Sequence, residues 1–147
     1  MSLPDPDHQP DFYSGVLPKR AVAWLIDSVL VTVLSLLFGL LTFGIGLFLF
    51  PAVSAVIGFL YRVGTLTGGS ATWGMRFTGI ELRQADGARF DIGAALLHTL
   101  GYFVSLAIFP LQLVSIVIML LSDKGQGLTD LVHGSRALNR RAAAYLT

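Results

Sequence analysis

Arg20 and Asp27 stand seven residues apart at the mouth of a stretch, residues 28–61, that carries no charged side chain. Seven residues make close to two helical turns, so on a helix both side chains share a face, about 10 Å apart along the axis. A carboxylate inside membrane hydrocarbon costs roughly 2.5–3.5 kcal/mol at a helix centre. Asp27 must therefore face protein or a water-filled cavity, and it needs a partner. Two chemistries suit it. One is a buried tie that holds an arginine from a neighbouring segment. The other is a site for a proton or a cation, the role that intramembrane acids take by default. His98 is the only side chain in residues 92–122 that titrates near neutral pH, and it could exchange a proton with Asp27. The competing reading of His98 is a boundary histidine hydrogen-bonded to backbone or water.

Other groups do not assemble into a catalytic set. Thr67-Gly68-Gly69-Ser70-Ala71-Thr72-Trp73-Gly74-Met75-Arg76 invites a phosphate-loop reading, but Gly74 is followed by Met75-Arg76 where Lys and Ser or Thr are required. The segment reads instead as a Gly-rich membrane-surface loop, with Thr67, Gly68, Gly69, Thr72, Gly74, Arg76 and Gly79 permitting a tight reversal and Trp73 anchored among headgroups. Arg62 and Arg76 can pair acids or lipid phosphates. His8, His98 and His133 are too scattered for a metal cluster, and no nucleophile elbow links Ser, His and Asp. The expectation is a non-enzymatic protein with no cofactor and no bound metal.

The elements that position these residues follow from hydropathy and charge. Only 13% of the residues are charged, half the usual supply of a soluble domain, and mean hydropathy is +0.71. A net charge of +1 gives no argument for nucleic acid, and the absence of cysteine excludes disulfides and thiolate chemistry. The first apolar block, residues 21–61, is long enough for two spans of about 20 residues. Gly44-Ile45-Gly46 marks the turn between a helix at about 18–43 and another at about 47–63, with Pro51 near the start of the second. The second block, residues 92–122, is divided by Phe109-Pro110. Half its length falls short of a span, but the charges favour two crossings. The ten cations are Lys19, Arg20, Arg62, Arg76, Arg83, Arg89, Lys124, Arg136, Arg140 and Arg141, and none lies in either candidate turn. An even number of crossings keeps all of them on the cytoplasmic side.

On the first helix Arg20, Trp24 and Asp27 form one stripe, and Ser28, Thr32, Ser35 and Gly39 an adjacent stripe of small residues that lets helices approach closely. Both are expected to face inward, with Leu30, Val33, Leu37 and Leu41 towards lipid. Residues 1–17 lack the basic start and short apolar core of a signal peptide and read as a polar tail, partly disordered, with Phe12 and Tyr13 able to lie at an interface. Between the blocks, Phe77–Arg83 and Ala88–Phe90 around Ala85-Asp86-Gly87 suggest a small β-hairpin, and Asp91 stands where the next helix needs an N-cap.

Three motifs in order, Arg20-Ala21-Val22-Ala23-Trp24-Leu25-Ile26-Asp27, then Thr67 to Ile80, then Gly127-Leu128-Thr129-Asp130-Leu131-Val132-His133-Gly134-Ser135, resemble the RDD family of small bacterial membrane proteins. The likeness implies that Arg20, Asp27 and Asp130 are the name-giving residues and form a polar network within a compact helical membrane domain. Cation/proton exchange has been suspected for the family. Two departures stand out: Gly74-Met75 where Gly-Lys is common, and His98 where an arginine is common.

The expected architecture is an all-α membrane protein of two transmembrane helical hairpins, the second short, with an amphipathic cytoplasmic segment between them. The boundaries are a tail at 1–17, an RDD-like membrane domain at 18–138 and a C-terminal tail at 139–147. Arg20 is predicted to pair with Asp130, and Asp27 to be reached by Arg62, Arg76 or a hydroxyl such as Thr32. Functionally the chain reads as an accessory or scaffolding subunit of a larger membrane complex, in a bacterial inner membrane with both termini cytoplasmic. The alternative is a small oligomeric transporter of monovalent cations or protons that uses Asp27. The expected partners are the lipid bilayer and a larger complex or a second copy of the chain.

Overall fold

A computed structural model describes residues 3–140; Arg141 and most of the expected tail 139–147 lie outside the described residues. The longest element, α1 (Val16–Leu41), begins with Pro18 in its first turn, where a missing N–H goes unnoticed, and contains no charge beyond Asp27. It ends where the Thr42 hydroxyl bonds the Phe38 and Gly39 carbonyls and accepts the Gly46 N–H. There a short helix, α2 (Ile45–Phe48), folds back against α1 so closely that a Cβ on Gly46 would lie 2.8 Å from the Gly39 Cα. The return helix α3 (Phe50–Gly69) carries Pro51 in its first turn. It therefore starts and ends later than the span expected at 47–63, because the glycines 64, 68 and 69 are tolerated inside its last turns. Both α1 and α3 are long and apolar enough to cross a membrane.

The second apolar block folds as α5 (Ile92–Ala107) and α6 (Phe109–Leu121), which meet at 116°. Pro110 lacks the N–H that would continue α5, so the chain breaks at Ile108 and restarts with Pro110 in the first turn. At 16 and 13 residues, about 24 and 20 Å, each arm is shorter than a full span. The pair counts as a broken span or a re-entrant loop, giving two or three candidate spans in all. Asp91 caps α5 as its position suggested, accepting the Ala94 N–H at 2.8 Å.

Two further helices, α4 (Trp73–Thr78) and α7 (Leu128–His133), and two strands, β1 (Ile80–Arg83) and β2 (Arg136–Asn139), form a layer at one end of the helices. The expected β-hairpin is replaced by an antiparallel pair that joins distant parts of the chain, with Ile80 opposite Asn139 and Arg83 opposite Arg136. Of the predicted hairpin only a single bridge survives, between Arg83 and Arg89. Phe77 and Thr78 belong to α4 instead, because Thr72 caps that helix by accepting the Met75 N–H. The core sits in this layer: Leu66, Ala71, Met75, Ile80, Leu82, Phe90, Ala94, Ala95 and Ala137 pack together with Val16 and Ala23 of α1. Within it Glu81 and Arg83 form a buried ion pair at 2.6 Å.

The first residues also depart from the expected loose tail. Pro10–Phe12 form a 3-10 turn, Phe12 is buried against Leu138, and Arg136 donates to the Pro4 carbonyl and the Tyr13 hydroxyl. Asn139 ties the same segment down through the Asp11 and Ser14 carbonyls and accepts from Lys19. Strand β2, unforeseen in the sequence, is what gives this segment a surface to pack on.

Candidate functional site

The two acids of the first and last motifs sit in separate polar clusters, and both clusters fasten α1 to the layer. Asp130 lies in the first turn of α7 with its side chain 1% exposed. Its Oδ2 accepts Arg20 Nη1 at 2.6 Å and the Gly127 N–H at 3.1 Å. Its Oδ1 meets His98 Nε2 at 2.8 Å and accepts the Ser135 hydroxyl at 2.9 Å. One carboxylate thus joins α1, α5 and both ends of α7. The predicted Arg20–Asp130 pair is present, and Arg20 also donates to the Gly125 carbonyl at 3.2 Å. Burial alone would raise the Asp130 pKa, but the Arg20 charge and the His98 bond outweigh it and hold the carboxyl well below the usual range.

Asp27 is buried on α1, and neither arginine reaches it. Its Oδ1 accepts the Tyr61 hydroxyl at 2.6 Å and the Gly74 N–H at 2.9 Å, and its Oδ2 accepts the Thr72 hydroxyl at 2.6 Å. Three neutral donors satisfy it. Arg76 instead donates to the Ala71 and Thr65 carbonyls, and Arg62 lies 4.1 Å over the Tyr102 ring. Thr32 is exposed and spends its hydroxyl on the Ser28 carbonyl one turn back. The close approach explains Gly74: a Cβ there would collide with the Ala23 carbonyl oxygen and come within 2.8 Å of Asp27 Oδ1. Tyr61 also accepts the Trp73 N–H at 3.2 Å, and its ring meets the Trp73 ring edge-on.

Several sequence expectations need correction. His98 pairs with Asp130 rather than exchanging with Asp27, and its bond goes to a carboxylate rather than to backbone or water. The expected single network of Arg20, Asp27 and Asp130 is two clusters. The Gly-rich loop is mostly helical: Thr67, Gly68 and Gly69 end α3, Gly74 and Arg76 lie in α4, and Gly79 closes α4 at φ 81°. Only Ser70 to Thr72 form the reversal, with Ser70 at φ 56° and its hydroxyl accepting the Phe90 N–H. Of the small-residue stripe, Ser35 and Gly39 are buried within the chain, while the half-buried Ser28 and the exposed Thr32 line the open groove between the helices. Val33, Leu37 and Leu41 are exposed as expected, and Leu30 is half-buried. Sequence reasoning missed Tyr61, Ser135 and the Gly127 N–H, since a neutral hydroxyl and a backbone amide give no charge signal.

Between α1, α3 and α5 lies an open groove of about 740 Å³, with Asp27, Tyr61, Arg62 and Tyr102 at one end and Pro51 at the other. Trp24 stands at its rim, donating to the Tyr102 hydroxyl at 2.7 Å.

The model of the RDD family matches residues 15–134, which takes in the first two motifs, all of the third but Ser135, both acids and the helices between them. The chain belongs to the RDD family. No curated protein and no solved structure matches it. Its family membership and its apolar helices make it a membrane protein. In this RDD protein Arg20 and Asp130 meet directly, while Asp27 is met by Thr72 and Gly74 of the Gly-rich motif and by Tyr61. The His98 imidazole is seated between Asp130 and the Phe90 ring, 5.6 Å from the ring centroid.

Proposed function

We propose that this RDD protein is a non-enzymatic accessory or scaffolding subunit of a larger membrane complex. It would sit in a bacterial inner membrane with both termini and the α4–sheet–α7 layer on the cytoplasmic side. The observation that carries the reading is the saturation of both acids. Asp27 accepts three hydrogen bonds and Asp130 is held by Arg20, His98, Ser135 and Gly127, so each serves as a joint between helices. Relays that move protons or ions chain several exchangeable groups through the membrane. Here the α1 helix beyond Asp27 has only Ser, Thr and apolar residues, and Thr42 and Ser35 spend their hydroxyls on their own helix. The cations support this orientation: Lys19, Arg20, Arg83, Arg136 and Arg140 all lie in the layer or bond to it.

One observation favours a second reading, a small oligomeric transporter of monovalent cations or protons: Asp27 lines the open groove. Flux measurements in liposomes, paired with mild extraction, separate the two. Under the scaffold reading, extraction yields a stoichiometric larger complex and the liposomes stay silent. A cation flux driven by a pH gradient and abolished by Asp27→Asn would establish transport instead.

A further inference from the structure

Arg62 is a buried cation outside any ion pair among the described residues. It is 8% exposed, its Nε has no hydrogen-bond partner, and among the described residues no carboxylate pairs with it. The Tyr102 ring covers one face of the guanidinium and leaves its N–H edge unused. A desolvated guanidinium in this condition is costly, and its planar fork matches a phosphate. Arg62 lines the groove between α1, α3 and α5, whose walls are mainly apolar, among them Val31, Ala55, Phe103 and Leu106. Asp27 is the one carboxylate in that lining, and its oxygens are already engaged by Tyr61, Thr72 and Gly74. The Ser54 hydroxyl, two turns along α3 from Arg62, is also buried and unpartnered in the same groove.

Depth in the bilayer selects the anion. Trp24 and Trp73 are exposed beside Tyr102 and Tyr61, the arrangement that aromatic side chains adopt at headgroup level. From Arg62 to Pro51 the groove follows α3 for eleven residues, about 16 Å, close to half of the roughly 30 Å hydrocarbon core. We infer that the groove seats one anionic phospholipid of the surrounding bilayer, its phosphate on the Arg62 guanidinium and one acyl chain laid along α3 towards Pro51. The site exists whether the protein scaffolds or transports, since it uses neither acid cluster as a carrier.

The test compares phosphatidylglycerol, phosphatidylcholine and inorganic phosphate as additives to the purified full chain in detergent, read by native mass spectrometry and thermal stability. Both lipids carry the phosphate, but choline neutralises it in phosphatidylcholine, so phosphatidylglycerol with its net negative charge is expected to be retained about tenfold better, with inorganic phosphate alone giving no shift. Arg62→Gln should abolish the preference. Ala55→Trp, which fills the groove from an exposed position, should abolish retention while leaving the fold intact, so the proposal remains testable if Arg62→Gln does not fold. Equal retention of both lipids overturns it, as does retention that survives Ala55→Trp. A full shift with inorganic phosphate would make the site one for a free anion. A lipid-free dimer disrupted by Ala55→Trp would assign the groove to a second copy of the chain.

Discussion

Removing Asp130 should damage the protein far more than removing the arginine it holds, and the two losses should not add. Asp130→Ala leaves Arg20, the Gly127 N–H and the Ser135 hydroxyl without their acceptor in a site where the acid is 1% exposed. Breaking a buried pair from this side costs about 3–5 kcal/mol. Arg20→Ala takes one charged hydrogen bond of about 1.5–3 kcal/mol, and Asp130 keeps His98, Ser135 and Gly127. Arg20 is itself 14% exposed, so solvent screens part of that loss. Residues in one network couple by about 0.5–3 kcal/mol, so the double mutant should be little worse than Asp130→Ala alone. At roughly 2–4 °C per kcal/mol for a chain of this size, Asp130→Ala lowers Tm by on the order of 10 °C, measured by the fraction remaining monodisperse after heating in detergent. Asp130→Asn should fall between. Its amide NH2 can turn towards His98 and Ser135, both able to accept, while its carbonyl still meets Arg20. Losses that add within about 0.5 kcal/mol would mean that the 2.6 Å contact carries no coupling and that Arg20 and Asp130 are not joined as described.

The pH dependence has a definite sign. A carboxyl held below its unfolded value contributes stability that is complete above about pH 4 and fades as pH falls further, so the Tm gap between the protein and Asp130→Asn should stay flat from about pH 8 to pH 5 and narrow only below about pH 4. A gap that closes between about pH 7 and pH 5 would contradict the low Asp130 value. Gly74→Ala places a methyl group against the Ala23 carbonyl and Asp27, and should cost about 1–3 kcal/mol with a matching fall in Tm; an unchanged Tm would show that α4 does not press on α1 as described.

The parts of the fold that were legible in the sequence are those written in charge, proline and capping chemistry. Arg20 and Asp130 could be paired because each is an ion at the edge of an apolar block, where the cost of isolation leaves few partners. Asp91 and Pro110 declared a helix start and a break for equally local reasons. The strand pairing was not legible. Arg136-Ala137-Leu138-Asn139 is too short for a periodic signal, and its partner Ile80–Arg83 lies across the three helices α5, α6 and α7 of the chain. Of the donors expected at Asp27 the hydroxyl is the kind that arrives, but from Tyr61 and Thr72 rather than Thr32, and neither they nor the Gly74 amide stand out in the sequence as Arg62 and Arg76 do.

That choice of donors separates what the two acids can do. Asp130 is bound to Arg20, a permanent cation, and to His98, so its charge is balanced within the cluster. Asp27 has only hydroxyls and one amide, which stabilise a carboxylate without neutralising it. Its uncompensated charge faces the same groove as Arg62, whose positive charge is likewise unmatched by any ion pair among the described residues. The two opposite charges therefore attract across the groove without forming an ion pair. An anionic headgroup on Arg62 would leave Asp27 as the unmatched charge, and its hydrogen bonds to Thr72 and Gly74 are what would then hold α4 against α1. Lipid occupancy and the firmness of the α1–α4 joint should accordingly be coupled: Thr72→Val, which removes one of those bonds, should cost more stability in phosphatidylglycerol than in phosphatidylcholine. Equal cost in the two lipids would show that the headgroup and Asp27 do not sense one another.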